Sequence, residues 1–147
     1  MQISMTKAET AEFLQQRFPQ VTGEFDVERL TDDGLVLRLK VAEKHLRPGG
    51  TVSGPAIFGL ADVAFYLALL ARIGPVALAV TTSVAIDFMR RPAAGVDLLA
   101  TARILKLGRA LAVGDVMVFS EGSAEPVAHA NLTYSIPPGT GWNDGVY

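Results

Sequence analysis

Residues 53–75, SGPAIFGLADVAFYLALLARIGP, decide the reading of this chain, because they form a run of apolar and small side chains whose only acidic member is Asp62. An ionised carboxyl taken out of water costs several kcal/mol unless it finds donors or a proton, so a carboxylate in such a segment requires an explanation. Gly74-Pro75 stops the run, Ser53 can cap it, and Pro55 is tolerated where the N–H groups of a helix start have no partner. The spacing predicts one helix over residues 55–73. It is apolar nearly all round, so it has to be covered on more than one side. A stretch of ~18–20 apolar residues also suits a bilayer span. Asp62 near the centre, expensive there by ~2.5–3.5 kcal/mol, and the small residues Gly59, Ala61, Ala64 and Ala68 favour a core helix instead.

The flanks give the rest of the architecture. Thr6-Lys7-Ala8-Glu9 has capping-box spacing, and Ala11, Leu14 and Phe18 follow at helical intervals, which predicts a short amphipathic helix over 7–17 ending before Pro19. Strands at 23–30 and 35–41 flank the turn Thr31-Asp32-Asp33-Gly34 and make a hairpin, and 42–53 (AEKHLRPGGTVS) reads as a loop. Every segment after the long helix is extended. In 76–88, Leu78, Val80, Val84, Ile86 and Phe88 alternate with Ala77, Ala79, Thr81, Ser83 and Asp87. Segments 96–106 and 110–120 surround the turn Leu107-Gly108-Arg109. In 127–135, Ala128, Ala130, Leu132 and Tyr134 point one way and His129, Asn131, Thr133 and Ser135 the other. The tail PPGTGWNDGVY reads as a loop. This order gives an α+β class: an antiparallel sheet wrapped around one long central helix of ~30 Å, preceded by a short N-terminal helix.

Composition narrows the function. The 147 residues suit a single domain, and with 50% hydrophobic and 19% charged residues and a positive mean hydropathy, part of the surface is expected to be buried between subunits. A net charge of -2 gives no reason to expect nucleic acid or a membrane as partner. The absence of cysteine excludes disulfides, thiolate nucleophiles and Cys-type zinc sites. The two histidines, His45 and His129, lack ligand spacing, so no metal is expected. The start, MQISMTKAET, has no signal-peptide pattern, which leaves the cytoplasm as the expected location.

On the predicted helix, the residues one turn from Asp62 are Phe58, Gly59, Phe65 and Tyr66, an aromatic stripe with one small gap. Asp62 can serve as general base or nucleophile there, or it can sit in a structural ion pair. At the helix start, the N–H of Gly54 lies in the positive end of the dipole, where it can receive a developing oxyanion. The two positions are eight residues apart, ~12 Å along a helix, whereas donor and base must converge within ~3 Å of one centre. One helix cannot do both jobs on one substrate. If both act, two helices have to meet antiparallel across a two-fold axis.

Residues 45–66, HLRPGGTVSGPAIFGLADVAFY, resemble the pattern H-x-N-P-x-G-x-x-H-G-G followed by a LADxAF segment that marks the hot-dog-fold acyl-CoA thioesterases of the phenylacetyl-CoA type. The resemblance continues through TTSVAIDFMRRPAAG, ILKLGRALAVG and PVAHANLTYSIPP, so it covers roughly residues 20–138. It implies the hot-dog fold, dimers that often pair into tetramers, and hydrolysis of acyl-CoA with no metal or cofactor. Asp62 then matches the acidic residue that activates water or attacks the thioester, and Gly54 the N–H donor from the other subunit. Thr81, beside Thr82 and Ser83, matches the region that supplies a hydroxyl to orient water. Phe58 and Tyr66 are expected to line an apolar pocket. Arg90 and Arg91, with Lys106 and Arg109, are the candidates for the CoA phosphates.

Three positions depart from the pattern: Arg47, Ser53 and Pro55 stand where Asn, His and Gly are usual. Pro55 cannot donate but leaves Gly54 untouched. A guanidinium at Arg47 can pair with Asp62 or alter which substrates fit. Two rival readings follow. One is a weakly catalytic acyl-CoA binding or sensing protein. The other is a hot-dog hydratase or dehydratase, for which a His paired with an acid across the dimer is expected.

Overall fold

Thr6 opens the first helix, α1 (Lys7–Arg17), through a complete capping box: its hydroxyl accepts the Glu9 N–H at 3.1 Å, and the Glu9 carboxylate accepts the Thr6 N–H at 3.0 Å. The computed structural model describes residues 1–138, so most of the tail expected as a loop lies outside the described residues. After α1 come β1 (Phe25–Leu30), β2 (Gly34–Leu39), the long helix α2 (Gly54–Ile73), β3 (Val80–Phe88), β4 (Leu98–Leu107), β5 (Leu111–Ser120) and β6 (Pro126–Ser135). Short 3-10 turns occupy Pro19–Val21 and Glu43–His45, the second inside the segment read as a plain loop. The six strands form one antiparallel sheet in the order β1-β2-β4-β5-β6-β3, which leaves β3 on an edge. Sheet and long helix together make the hot-dog architecture.

Small residues on the concave face let the helix come close. Ala100, Ala102, Ala112, Ala128 and Ala130 are all essentially inaccessible to solvent, and Leu60, Phe65, Leu67 and Leu69 of α2 fill the space above the sheet. Gly114 is the tightest point. A Cβ there would meet the Phe65 ring at 2.3 Å and the Arg103 carbonyl oxygen at 2.1 Å. The second side of α2 is covered by Phe13 and Leu14 of α1, and the N–H groups of Ser4 and Met5 donate to the Ala71 carbonyl at 2.7 and 3.1 Å. Although α2 is long and apolar enough to cross a membrane, 72% of its most apolar stretch is buried within the fold. At its C-terminal end the buried Arg72 guanidinium donates to the carbonyls of Gly34, at 2.8 Å, and Thr31. That bond pins the β1–β2 turn to the negative end of the helix.

The segment 76–88 differs from its sequence reading in two ways. Residues 76–79 form a turn closed by the Ala79 N–H on the Val76 carbonyl at 3.1 Å, so the strand starts at Val80. Within it, the register against β6 slips between Thr81 and Ser83. This bulge inserts Thr82 as an extra residue and moves Thr81 to the face that Val84 and Ile86 share, where simple alternation had placed it opposite.

On the convex face, Arg103 forks onto Asp115 with two bonds of 3.0 Å, and His129 Nε2 lies 3.0 Å from the same carboxylate. The Arg103 fork, with help from His129, holds the buried Asp115 carboxyl below its ordinary range.

Two outcomes are expected. Gly114→Ala should lower stability in urea unfolding by about 1–3 kcal/mol, because both clashing groups are fixed by the core; an unchanged midpoint would contradict the close approach of Phe65. Asp115 has a depressed folded-state pKa, so its contribution is present above the ordinary Asp value of about 3.9 and is lost as pH falls through the lower folded value. Asp115→Asn should therefore flatten the dependence of stability on pH below about 4.

Candidate functional site

Asp62 is half-buried in the middle of α2, and the bulge in β3 decides its surroundings. The Thr81 hydroxyl donates to Asp62 Oδ1 at 2.6 Å, and the Tyr134 hydroxyl reaches the same oxygen at 2.6 Å from β6. Tyr134 also lies 3.1 Å from the Asp62 carbonyl oxygen. Burial, followed by the nearby Asp62 charge, pushes the Tyr134 phenol far above its ordinary range, so it remains a donor. Both donors converge on Oδ1, which fixes the rotation of the carboxylate and leaves Oδ2 to other chemistry. No arginine pairs with Asp62 among the described residues; two hydroxyls, not an ion pair, account for its position.

A cavity of about 360 Å³ opens beside this group, with Asp62, Tyr66, Thr81 and Tyr134 on one part of its wall and Arg17, Phe18 and Gln20 on another. Tyr66 contributes its ring, since its hydroxyl is bound to the Ala77 carbonyl at 2.9 Å.

The start of α2 builds a second, separate cavity. Pro55 has no N–H, the Ala56 N–H goes to Ser53 Oγ at 3.3 Å, and the Ile57 N–H goes to the Ser53 carbonyl at 3.1 Å. Gly54 thus carries the first-turn N–H left without an acceptor among the described residues. A cavity of about 410 Å³ lies against it, bordered by Arg47, Phe88, Met89, Arg90 and Arg91. The Phe88 ring would be 3.7 Å from a Cβ on Gly54, so one end of β3 touches Gly54 while the other end touches Asp62.

The remaining sequence candidates separate cleanly. Arg47 borders the Gly54 cavity and Ser53 caps the helix beside it. Arg90 and Arg91 border the same cavity, and Arg90 is held there by Glu125 at 3.0 Å and by the Pro126 carbonyl at 2.6 Å. Phe58 is exposed and borders neither cavity. Thr82 donates to the Thr133 carbonyl at 3.2 Å, and Ser83 is exposed on the other face of β3. Lys106 and Arg109 lie at the β4–β5 turn and border neither cavity.

Neither histidine reaches the site. His45 Nδ1 accepts the Ala42 N–H at 2.8 Å and its Nε2 meets Glu24 at 2.8 Å, while His129 is bound to Asp115 on the convex face. Sequence reasoning missed Tyr134 as a functional group, although its inward direction was readable from the alternation in 127–135. It also missed Arg17, whose place on the cavity wall depends on how α1 folds back over α2.

Comparison with known proteins bears on the family and the fold. The thioesterase superfamily profile matches residues 49–127. A candidate thioesterase from Silicibacter sp. is 54% identical, with a TM-score of 0.88 over 94% of this chain and 96% of that one. A variant of the phenylacetic acid degradation protein PaaI from Thermus thermophilus is 33% identical, with a TM-score of 0.69 over 81% of this chain and 99% of that one. Zebrafish thioesterase superfamily member 2, at 24% identity, shares the fold with a TM-score of 0.80 over 91% of this chain and 100% of that one. No match is found among the curated proteins.

Tyr134→Phe removes one of the two donors to Oδ1 and little volume. A hydrogen bond to a charged group is worth about 1.5–3 kcal/mol, so kcat for thioester hydrolysis should fall about 10- to 100-fold, with KM within about twofold of wild type. A comparable rise in KM would show that Tyr134 holds substrate and not the carboxylate.

Proposed function

The chain belongs to the thioesterase superfamily, and we propose that it hydrolyses acyl-CoA thioesters to a free acid and CoA at a site shared by two copies of the chain. Membership supports thioester hydrolysis as the reaction. The observation that carries the finer reading is the placement of Asp62 and Gly54 in separate cavities at opposite ends of one edge strand.

Among the described residues the sheet has no further strand beyond β3, and Val80, Phe88 and Met89 are about half exposed. Pairing β3 antiparallel with its copy about Val84 and Ala85 sets the Thr81 end of one strand beside the Phe88 end of the other. Asp62 of one subunit then faces Gly54 of the partner subunit. The exposed Phe58 and the half-buried Gly59 and Asp62 on α2 lie on the surface that such a contact covers. Self-association buries apolar surface and completes the site in one step.

In that site a water gives its proton to Asp62 as its oxygen adds to the thioester carbonyl carbon. The carbonyl oxygen takes on negative charge and meets the Gly54 N–H at the positive end of α2. Collapse breaks the C–S bond, and the CoA thiolate leaves and takes up a proton. In the nucleophilic form a carboxylate oxygen adds instead, and water then hydrolyses the resulting anhydride. Arg47 and Arg91, which border the Gly54 cavity, supply charge for the CoA phosphates. His45 and His129 are each bonded away from both cavities, which favours hydrolysis over the hydratase reading.

Two variants test the shared site together. Asp62→Asn removes the base, and Gly54→Pro removes the donor at a helix position where proline is tolerated. Each alone should release CoA from acyl-CoA at about 1% of the wild-type rate or less. Co-expressed in equal amounts, half of the dimers carry one intact site out of two, so about a quarter of wild-type activity should return. A site contained in one chain would recover nothing.

A further inference from the structure

We propose that the cavity beside Asp62 is a subsite for acyl groups that end in a carboxylate, with Arg17 as the residue that receives it; this rests on the thioesterase reading of the site. The cavity has chemically distinct parts. One part of its wall holds Asp62, Thr81 and Tyr134, where the thioester reacts, and another holds Arg17 and Gln20, from the last turn of α1 and the 3-10 turn after it.

Aromatic rings stand on this wall at Tyr66, Tyr134 and Phe18, and the buried Phe13 lies behind Tyr66. Tyr134 and Tyr66 lie with centroids 6.2 Å apart, Tyr66 and Phe13 6.4 Å apart, and the Arg17 guanidinium sits 5.9 Å from the Phe13 ring. Because the Tyr66 hydroxyl is occupied by Ala77, this wall offers ring surface suited to methylene or aryl groups. About 360 Å³ is enough for a small acyl chain.

Arg17 is unlike the other cavity groups. It is exposed, and among the described residues it forms no ion pair; it lies over the face of Phe13 and its charge acts on the Tyr66 phenol. By contrast Arg38, Arg90 and Arg103 are each matched by carboxylates. The helix dipole favours a cation in the last turn of α1 but does not require it on the cavity wall. Charge at the two ends also selects. A negative group close to the thioester is repelled by Asp62, whereas one at the far end of the acyl chain meets Arg17. The CoA phosphates are the other possible source of an anion, and cations for them already border the Gly54 cavity at Arg47 and Arg91.

The test compares kcat/KM for succinyl-, glutaryl-, adipyl- and suberyl-CoA with that for the monocarboxylic acyl-CoAs of equal length, in wild type, Arg17→Gln and Arg17→Glu. At the best length, wild type should favour the ω-carboxyl substrate by about tenfold or more, with the difference mainly in KM. Arg17→Gln should erase that preference and Arg17→Glu should reverse it. A wild-type preference for the neutral series overturns the proposal. So does a uniform loss across both series in Arg17→Gln, which would assign Arg17 to the CoA phosphates. Calorimetric binding of the same pairs to Asp62→Asn keeps the two readings apart. A binding preference without CoA release from any substrate by wild type would sink the hydrolase reading and retain the subsite, while release of CoA without any preference would do the opposite.

Discussion

The structure depends on one carboxylate that cannot be left alone. Asp62 sits on a helix that is otherwise apolar and largely enclosed, and its burial is affordable only because two hydroxyls meet it at 2.6 Å. Those hydroxyls come from neighbouring antiparallel strands, Thr81 on β3 and Tyr134 on β6, which are direct partners in the ladder. The Thr82 bulge is what lets both point inward. Without the extra residue Thr81 would face away from the helix, and Asp62 would keep one donor. The register of the edge strand and the hydrogen bonding of Asp62 are therefore one problem with one solution.

The same helix begins with a polar group of opposite character that is left open. Ser53 and Pro55 between them account for the other first-turn positions and leave the Gly54 N–H open. The fold holds an acceptor-rich carboxylate in mid-helix and an open donor at the helix start, each with its own cavity, as the proposed two-chain site requires. Their separation of eight residues, ~12 Å along a helix, is what pairing two copies would bridge.

Much of this was legible because the signals are local. Residues 53–75 read as a helix from punctuation at both ends, Thr6 and Glu9 declare a cap, and the alternation in 127–135 shows Tyr134 facing inward. Non-local geometry was less accessible. That β3 leaves the helix and joins the sheet beyond β6 depends on pairing with residues some 50 positions later, and periodicity carries no record of it. The bulge inverts the face of Thr81 without any Gly or Pro to announce it. Tyr134 and Asp62 are 72 residues apart, so the direction of the tyrosine was readable while its partner was not. Arg17 belongs to an amphipathic helix whose exposed residues look alike until α1 is packed.

The departures at Arg47 and Ser53 acquire a physical meaning from how the loop before α2 is held. His45 accepts the Ala42 N–H and pairs with Glu24, and its carbonyl accepts the Ser53 N–H at 2.8 Å. The Arg47 N–H reaches the Thr51 carbonyl at 2.9 Å, the Gly50 N–H reaches the Arg47 carbonyl at 3.0 Å, and Leu46 bridges Val52. Backbone bonds and one buried imidazole thus shape the turn, and among the described residues the Arg47 side chain takes no part in it. A residue whose backbone is fixed and whose side chain is not needed for the turn can vary in charge without moving the Gly54 N–H. The Arg47 guanidinium therefore acts on the electrostatics of the Gly54 cavity, where it adds a positive charge beside the first-turn donor left open among the described residues.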